Sequence, residues 1–94
     1  MTELEEKIYN GEHLTESELE NAIYECDVID TKYGKNERWT RPASSIIKIK
    51  DKLFCIDWEE GLTEYQFNSF DNQPYEVEEV ERTIVVKNYI KKNN

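Results

Sequence analysis

Ser45-Ile46-Ile47-Lys48-Ile49, Lys50-Asp51-Lys52 and Leu53-Phe54-Cys55-Ile56-Asp57-Trp58 follow one another without a break near the middle of the chain. Two runs of β-branched and aromatic residues flank a short polar turn, the pattern of a β-hairpin. An antiparallel pair at this point sets the fold class, and the flanks are read against it. Upstream, Trp39 to Ile49 reads as extended. Pro42 limits ladder bonding there and marks a strand edge or a bulge. Before it, Asp27-Val28-Ile29-Asp30-Thr31-Lys32-Tyr33 reads as a strand, and Gly34-Lys35-Asn36 as a turn. Downstream, residues 59–74 read as an acidic loop. Tyr75-Glu76-Val77 and the run from Thr83 to Ile90 read as the last strands, and Lys91 to Asn94 as a frayed tail.

The N-terminal quarter changes period. Leu4 and Ile8 share one face of a short helix that starts near Thr2, with Gly11 as a natural stop. Thr15 and Glu18 form an S/T-x-x-E capping box, and Leu14 and Leu19 have the spacing of a hydrophobic staple. Leu19, Ala22, Ile23 and Cys26 continue the apolar stripe of a second helix. Helices followed by strands predict an α+β domain: one or two short N-terminal helices packed on a twisted antiparallel sheet of four or five strands. The whole chain, 1–94, is expected to be one domain, helical over 1–25 and β-rich over 26–90. Core candidates are Leu4, Ile8, Leu19, Ile23, Val28, Ile47, Ile49, Leu53, Cys55, Val85 and Ile90.

Ninety-four residues, 35% of them charged, leave room for one thin core. Two Trp, six Tyr and three Phe argue against a disordered chain. No apolar run is long enough for a membrane span, and the acidic start is unlike a secretory or transit signal. The separated Cys26 and Cys55 read as reduced, buried thiols, and a cytoplasmic location is expected.

The net charge of −9 is arranged in blocks. Residues 1–31 carry ten acids and one Lys, and residues 32–52 carry seven bases and two acids. Residues 53–81 carry nine acids and no base, and residues 82–94 carry four bases. Such blocks can neutralise one another across strands or leave faces of opposite sign.

Several chemistries lack their residues. With two isolated Cys and His13 alone, a structural zinc site has no ligand set. Three glycines in no phosphate-binding motif leave nothing to cradle a nucleotide. Neither Cys has an electropositive setting that would make it a nucleophile. Asp57, Glu59, Glu60 and Glu64 crowd together, but a phosphate-processing metal site would want a nearby cation, and this segment has none. No cofactor and no enzymatic activity are expected.

Two features fit binding. Arg38-Trp39-Thr40-Arg41 is a basic and aromatic cluster that could stack on bases, or form a rim in which the arginines bond nearby acids. The overall acidity favours the rim reading and argues against direct nucleic-acid binding. The acids from Asp57 to Glu81, above all Glu59, Glu60, Glu64, Glu76, Glu78, Glu79 and Glu81, read as a solvated surface that keeps an edge from aggregating. They could also present nucleic-acid-like charge to a basic protein surface.

The run Asp57-Trp58-Glu59-Glu60-Gly61-Leu62-Thr63-Glu64-Tyr65-Gln66, with Phe70 and Gln73-Pro74-Tyr75-Glu76-Val77-Glu78, resembles small acidic proteins of phages and prophages of Gram-positive bacteria. Arg38-Trp39-Thr40-Arg41 and Leu14-Thr15-Glu16-Ser17-Glu18-Leu19 are similar to the same group. The resemblance carries no catalytic role. It implies a phage-encoded inhibitor, of anti-CRISPR kind, that binds a host defence protein such as a Cas nuclease in the bacterial cytoplasm. The acids Glu59, Glu60, Glu64, Glu76, Glu78, Glu79 and Glu81 would make the contact, with Arg38, Trp39 and Arg41 as secondary candidates. The alternative is a phage accessory or structural module that self-associates as a homodimer through an edge strand.

Overall fold

The central hairpin forms as its pattern dictates. β2 (Thr40–Ile49) and β3 (Lys52–Gly61) pair antiparallel from Thr40↔Gly61 to Ile49↔Lys52. The turn is shorter than the sequence reading had it, because Lys52 already pairs. Only Lys50 and Asp51 close the loop, with Lys50 in the left-handed region at φ 54°. The structure is a computed structural model that describes residues 1–80, Tyr89 and Lys92. The expected strand from Thr83 to Ile90, its core candidates Val85 and Ile90, the acid Glu81 and the expected tail frayed from Lys91 lie wholly or largely outside the described residues.

β1 (Val28–Tyr33) and β4 (Tyr75–Val77) flank the hairpin, giving a four-stranded antiparallel sheet in the order β1-β2-β3-β4. The molecule is an α+β fold, as the helix-then-strand order predicts. Pro42 departs from the expectation of an edge, since β2 has neighbours on both sides. Its carbonyl accepts from the Gly34 N–H at 2.8 Å, just past the last β1 pair, Tyr33↔Ala43. A residue's N and O point to the same side of a strand, so the missing donor faces a loop rather than a ladder.

Two helices cover one face. Thr2 caps α1 (Glu3–Tyr9) through a complete capping box with Glu5. Gly11, at φ 72°, ends it: its N–H reaches the Ile8 carbonyl while the Glu12 N–H reaches Lys7, a Schellman arrangement. Thr15 caps α2 (Glu16–Glu25) through the expected box with Glu18. Lys7 Nζ lies 2.7 Å from Glu18 Oε2 and ties the helices together. No helix among the described residues is long and apolar enough to cross a membrane.

Ile8, Leu14, Leu19 and Ala22 meet Ala43, Ile47, Ile49, Phe54, Ile56, Trp58 and Phe70 in the core. Leu4, Ile23 and Val28 pack against its rim. Ile8, Leu19, Ile47 and Ile49 take the core places the sequence assigned them. On β3 the expectation was one residue out of phase. Phe54, Ile56 and Trp58 stand opposite Ile47, Ser45 and Ala43 and so share the helix-bearing face. Leu53 points to the other face and is half-buried. Cys55 points there too and is buried. The apolar run Leu53 to Ile56 does not alternate, so only pairing register could choose the face.

Residues 59–74 also depart from a plain loop. The first three complete β3, and Glu59 bridges Ser69 through two 2.9 Å backbone hydrogen bonds. Phe70 is buried and stacks on Trp58 at 5.3 Å between centroids. β4 stops at Val77, and Glu78 to Val80 lie outside any regular element.

Candidate functional site

The end of the sheet where β2 begins and β3 finishes gathers most of the chemistry that the rest of the fold leaves on the surface. β3 brings Glu59 and Glu60 opposite Pro42 and Arg41. Arg41 Nη2 lies 3.1 and 3.2 Å from the two Glu60 carboxylate oxygens. Its guanidinium covers the Tyr33 ring at 3.8 Å, and its Nε is buried without a partner among the described residues. Its flat guanidinium can stack face-on against the ring while its edge bonds the carboxylate. Arg38 stacks over Trp39 at 4.8 Å. The rim reading of Arg38-Trp39-Thr40-Arg41 therefore describes Arg41 well, while Arg38 and Trp39 remain at the surface.

A tight loop after β3 is stitched to the same end. The Leu62 N–H donates to the Trp39 carbonyl at 2.9 Å, and the Gly61 N–H donates to Asn68 Oδ1 at 2.9 Å. A Cβ on Gly61 would stand 2.0 Å from the Gln66 carbonyl oxygen, so no other residue fits without moving backbone. Asn68 Nδ2 reaches the Tyr24 hydroxyl at 3.4 Å and brings in the end of α2. Between α2 and the sheet lies a cleft of about 450 Å³ bordered by Tyr24, Tyr33, Trp58, Glu60 and Asn68. Its floor is polar and satisfied: Trp58 Nε1 donates to Ser45 Oγ at 3.0 Å, and Ser45 Oγ lies 3.2 Å from Thr31 Oγ1.

This end exposes an unusual set of large side chains. Tyr65 is 82% and Phe67 88% exposed, and Tyr24, Tyr33, Trp39 and Leu62 also face outward. Glu59 and Glu64 are exposed among them. Sequence reasoning singled out Glu59, Glu60, Glu64, Arg38, Trp39 and Arg41 but missed Tyr24, Tyr33, Leu62, Tyr65 and Phe67. Aromatics inside an acidic, turn-rich segment were the available signal, since a loop has little use for them unless they pack or bind.

Glu76, Glu78 and Glu79, the other predicted acids among the described residues, stand elsewhere. β4 pairs Leu53↔Val77 at the opposite end of β3. Seven residues of strand at about 3.3 Å each separate that pair from Glu60, roughly 23 Å. Glu76 lies 3.4 Å from Lys52 Nζ, and Lys52 in turn covers the Tyr9 ring at 4.7 Å. Glu78 and Glu79 are exposed beyond β4. The acids thus form two groups at two ends of the sheet, and two of them, Glu60 and Glu76, are engaged with cations.

Asp57, between the two ends, accepts from Ser44 Oγ at 2.6 Å, Tyr75 OH at 3.0 Å and Cys55 Sγ at 3.5 Å. Burial pushes its carboxyl up, but these donors outweigh it and hold the group below its ordinary value. Burial pushes the Cys55 thiol up, with the Asp57 charge adding to it. Burial likewise lifts Cys26 to about 11, aided by Glu5 and Glu25. Both sulfurs stay protonated at neutral pH, the opposite of a reactive thiolate. Among the described residues, no three side chains converge as metal ligands.

No family model, no curated protein and no solved structure matches the chain, so its surface chemistry is what informs a functional reading.

Proposed function

We propose that the chain is a non-enzymatic binding protein that grips a protein partner with the aromatic and acidic end of its sheet. The observation that carries the reading is the cluster of outward Tyr24, Tyr33, Trp39, Tyr65 and Phe67 beside Glu59 and Glu64. Tyr, Trp, Phe and Arg are the residues that interfaces favour, because large rigid rings bury area at small entropic cost. The cleft beside Tyr24 and Trp58 offers a place for one partner side chain. The net charge of −9 selects a basic partner and repels nucleic acid. On the resemblance to small phage proteins, that partner is a host defence protein with a nucleic-acid-binding channel, such as a Cas nuclease, and binding inhibits it.

The test uses immobilised full-length chain and host lysate at low and high salt. A Tyr65→Ala/Phe67→Ala chain is run beside wild type and a Glu76→Lys/Glu78→Lys/Glu79→Lys chain. Wild type should retain one partner, less of it at high salt, because exposed charge pairs are screened. The double alanine should lose that partner, and the triple reversal should keep most of it. Equal recovery from all three chains would overturn the reading. Loss only from the triple reversal would transfer the contact to the other acidic group.

A further inference from the structure

The face of the sheet away from the helices carries a groove of about 520 Å³ bordered by Ile29, Ile46, Leu53 and Val77. A bulge helps to build it. The register slips between Val28 and Asp30, which places both Ile29 and Asp30 beside the groove and leaves Ile29 49% exposed. Bulges commonly re-aim a side chain at a strand edge in this way. Among the described residues both helices lie on the opposite side; on this face Ile29 is exposed, and Ile46, Leu53 and Val77 are half-buried.

The charges of this face are sorted by strand. Lys32 on β1 and Lys48 on β2 stand on one half, with Asp30 the single acid among them. Asp57 on β3, with Glu78 and Glu79 beyond β4, stand on the other. A two-fold axis parallel to the strands lays β1 of one copy over β4 of another and β2 over β3. The basic half of each copy then meets the acidic half of its mate, twice over, as a self-complementary two-fold contact requires. The four aliphatic residues fall between them. We propose that a second copy of this chain covers the open face, making a two-fold dimer with paired sheets inside and helices outside. This surface is separate from the aromatic end, which stays exposed on both copies.

The experiment is sedimentation equilibrium of the full chain with Leu53→Asp and with Lys48→Glu, alone and combined with Glu78→Lys. Wild type should sediment as a dimer. Leu53→Asp should raise its dissociation constant about tenfold or more, since a charge then enters the apolar centre. Lys48→Glu should weaken the dimer, and adding Glu78→Lys should restore part of the loss. Mixing isotope-labelled and unlabelled wild-type chains should give cross-peaks between Leu53 methyls of one copy and Ile46 or Ile29 methyls of the other. A monomer at every concentration overturns the proposal. So does a Leu53 methyl whose contacts all arise within its own chain, from residues 81–94, or a dimer indifferent to Leu53→Asp.

Discussion

Lys50 holds φ 54° in a two-residue turn, a backbone shape that costs an L-residue roughly 1–2 kcal/mol. Glycine adopts it without that cost but loses about 0.5–1 kcal/mol of chain entropy. Lys50→Gly is therefore expected to stabilise the fold by up to about 1 kcal/mol. Thermal melting checks it, since a change of that size moves the midpoint by about 4–8 °C in a domain this small. An unchanged or lower midpoint would mean that the turn is unstrained. Glu18 is the titrating counterpart. The Lys7 ammonium at 2.7 Å, with the Thr15 N–H, holds its carboxyl at about 2 against an ordinary 4.5. A lowered folded value means stability that is complete above pH 4.5 and lost as the pH falls towards 2. Glu18→Gln keeps the capping box but loses the charge. Its acid unfolding curve is expected to be flatter than wild type in that window, and superimposable curves would remove Glu18 from the account.

At the scale of elements, the segment after β3 is held by Phe70 on Trp58 and by Gln73. Gln73 Oε1 accepts from the Leu14 N–H at 2.8 Å, and its Nε2 donates to the Leu14 carbonyl at 2.9 Å. The amide thus clasps the link between the helices to the approach of β4. Phe70→Ala is expected to cost about 3–5 kcal/mol, because it opens a cavity beside Trp58 that the sheet cannot refill. Phe67→Ala, three residues earlier, should change stability by less than about 0.5 kcal/mol, because that ring touches mainly water. Denaturant titration of the pair separates anchoring from display. Equal losses would show that Phe67 also packs. The motif residues Asp57, Trp58, Gly61, Phe70, Gln73 and Tyr75 all have structural tasks in this segment, while Glu59, Leu62, Thr63, Glu64, Tyr65 and Gln66 of its first run face outward.

At the scale of the whole molecule, one sheet separates two surfaces of different kind. The helix side closes the core and opens at one end into the aromatic cluster, while the far side keeps the aliphatic groove. The two are expected to fail independently. Tyr65→Ala/Phe67→Ala should leave the sedimentation of the chain unchanged while removing the protein partner. Leu53→Asp should do the reverse, and coupled losses would mean that the chain uses one continuous surface.

The Thr15 capping box, the hairpin and the α+β class were legible in the sequence, because each rests on contacts between residues a few positions apart. Thr15 needs only Glu18, and Ile49 meets Lys52 across two residues. The absence of phosphate-binding motifs was legible for the same reason. The face chosen by β3 was not, since Leu53 to Ile56 is apolar on both sides and only pairing with β2 decides which side meets the helices. The separation of the acids into two ends, the stacking of Arg41 on Tyr33 and the convergence of Tyr24 with the 62–68 loop were likewise decided in three dimensions. Those arrangements join residues far apart in the chain, and a linear pattern carries charge and shape but no distance between distant positions.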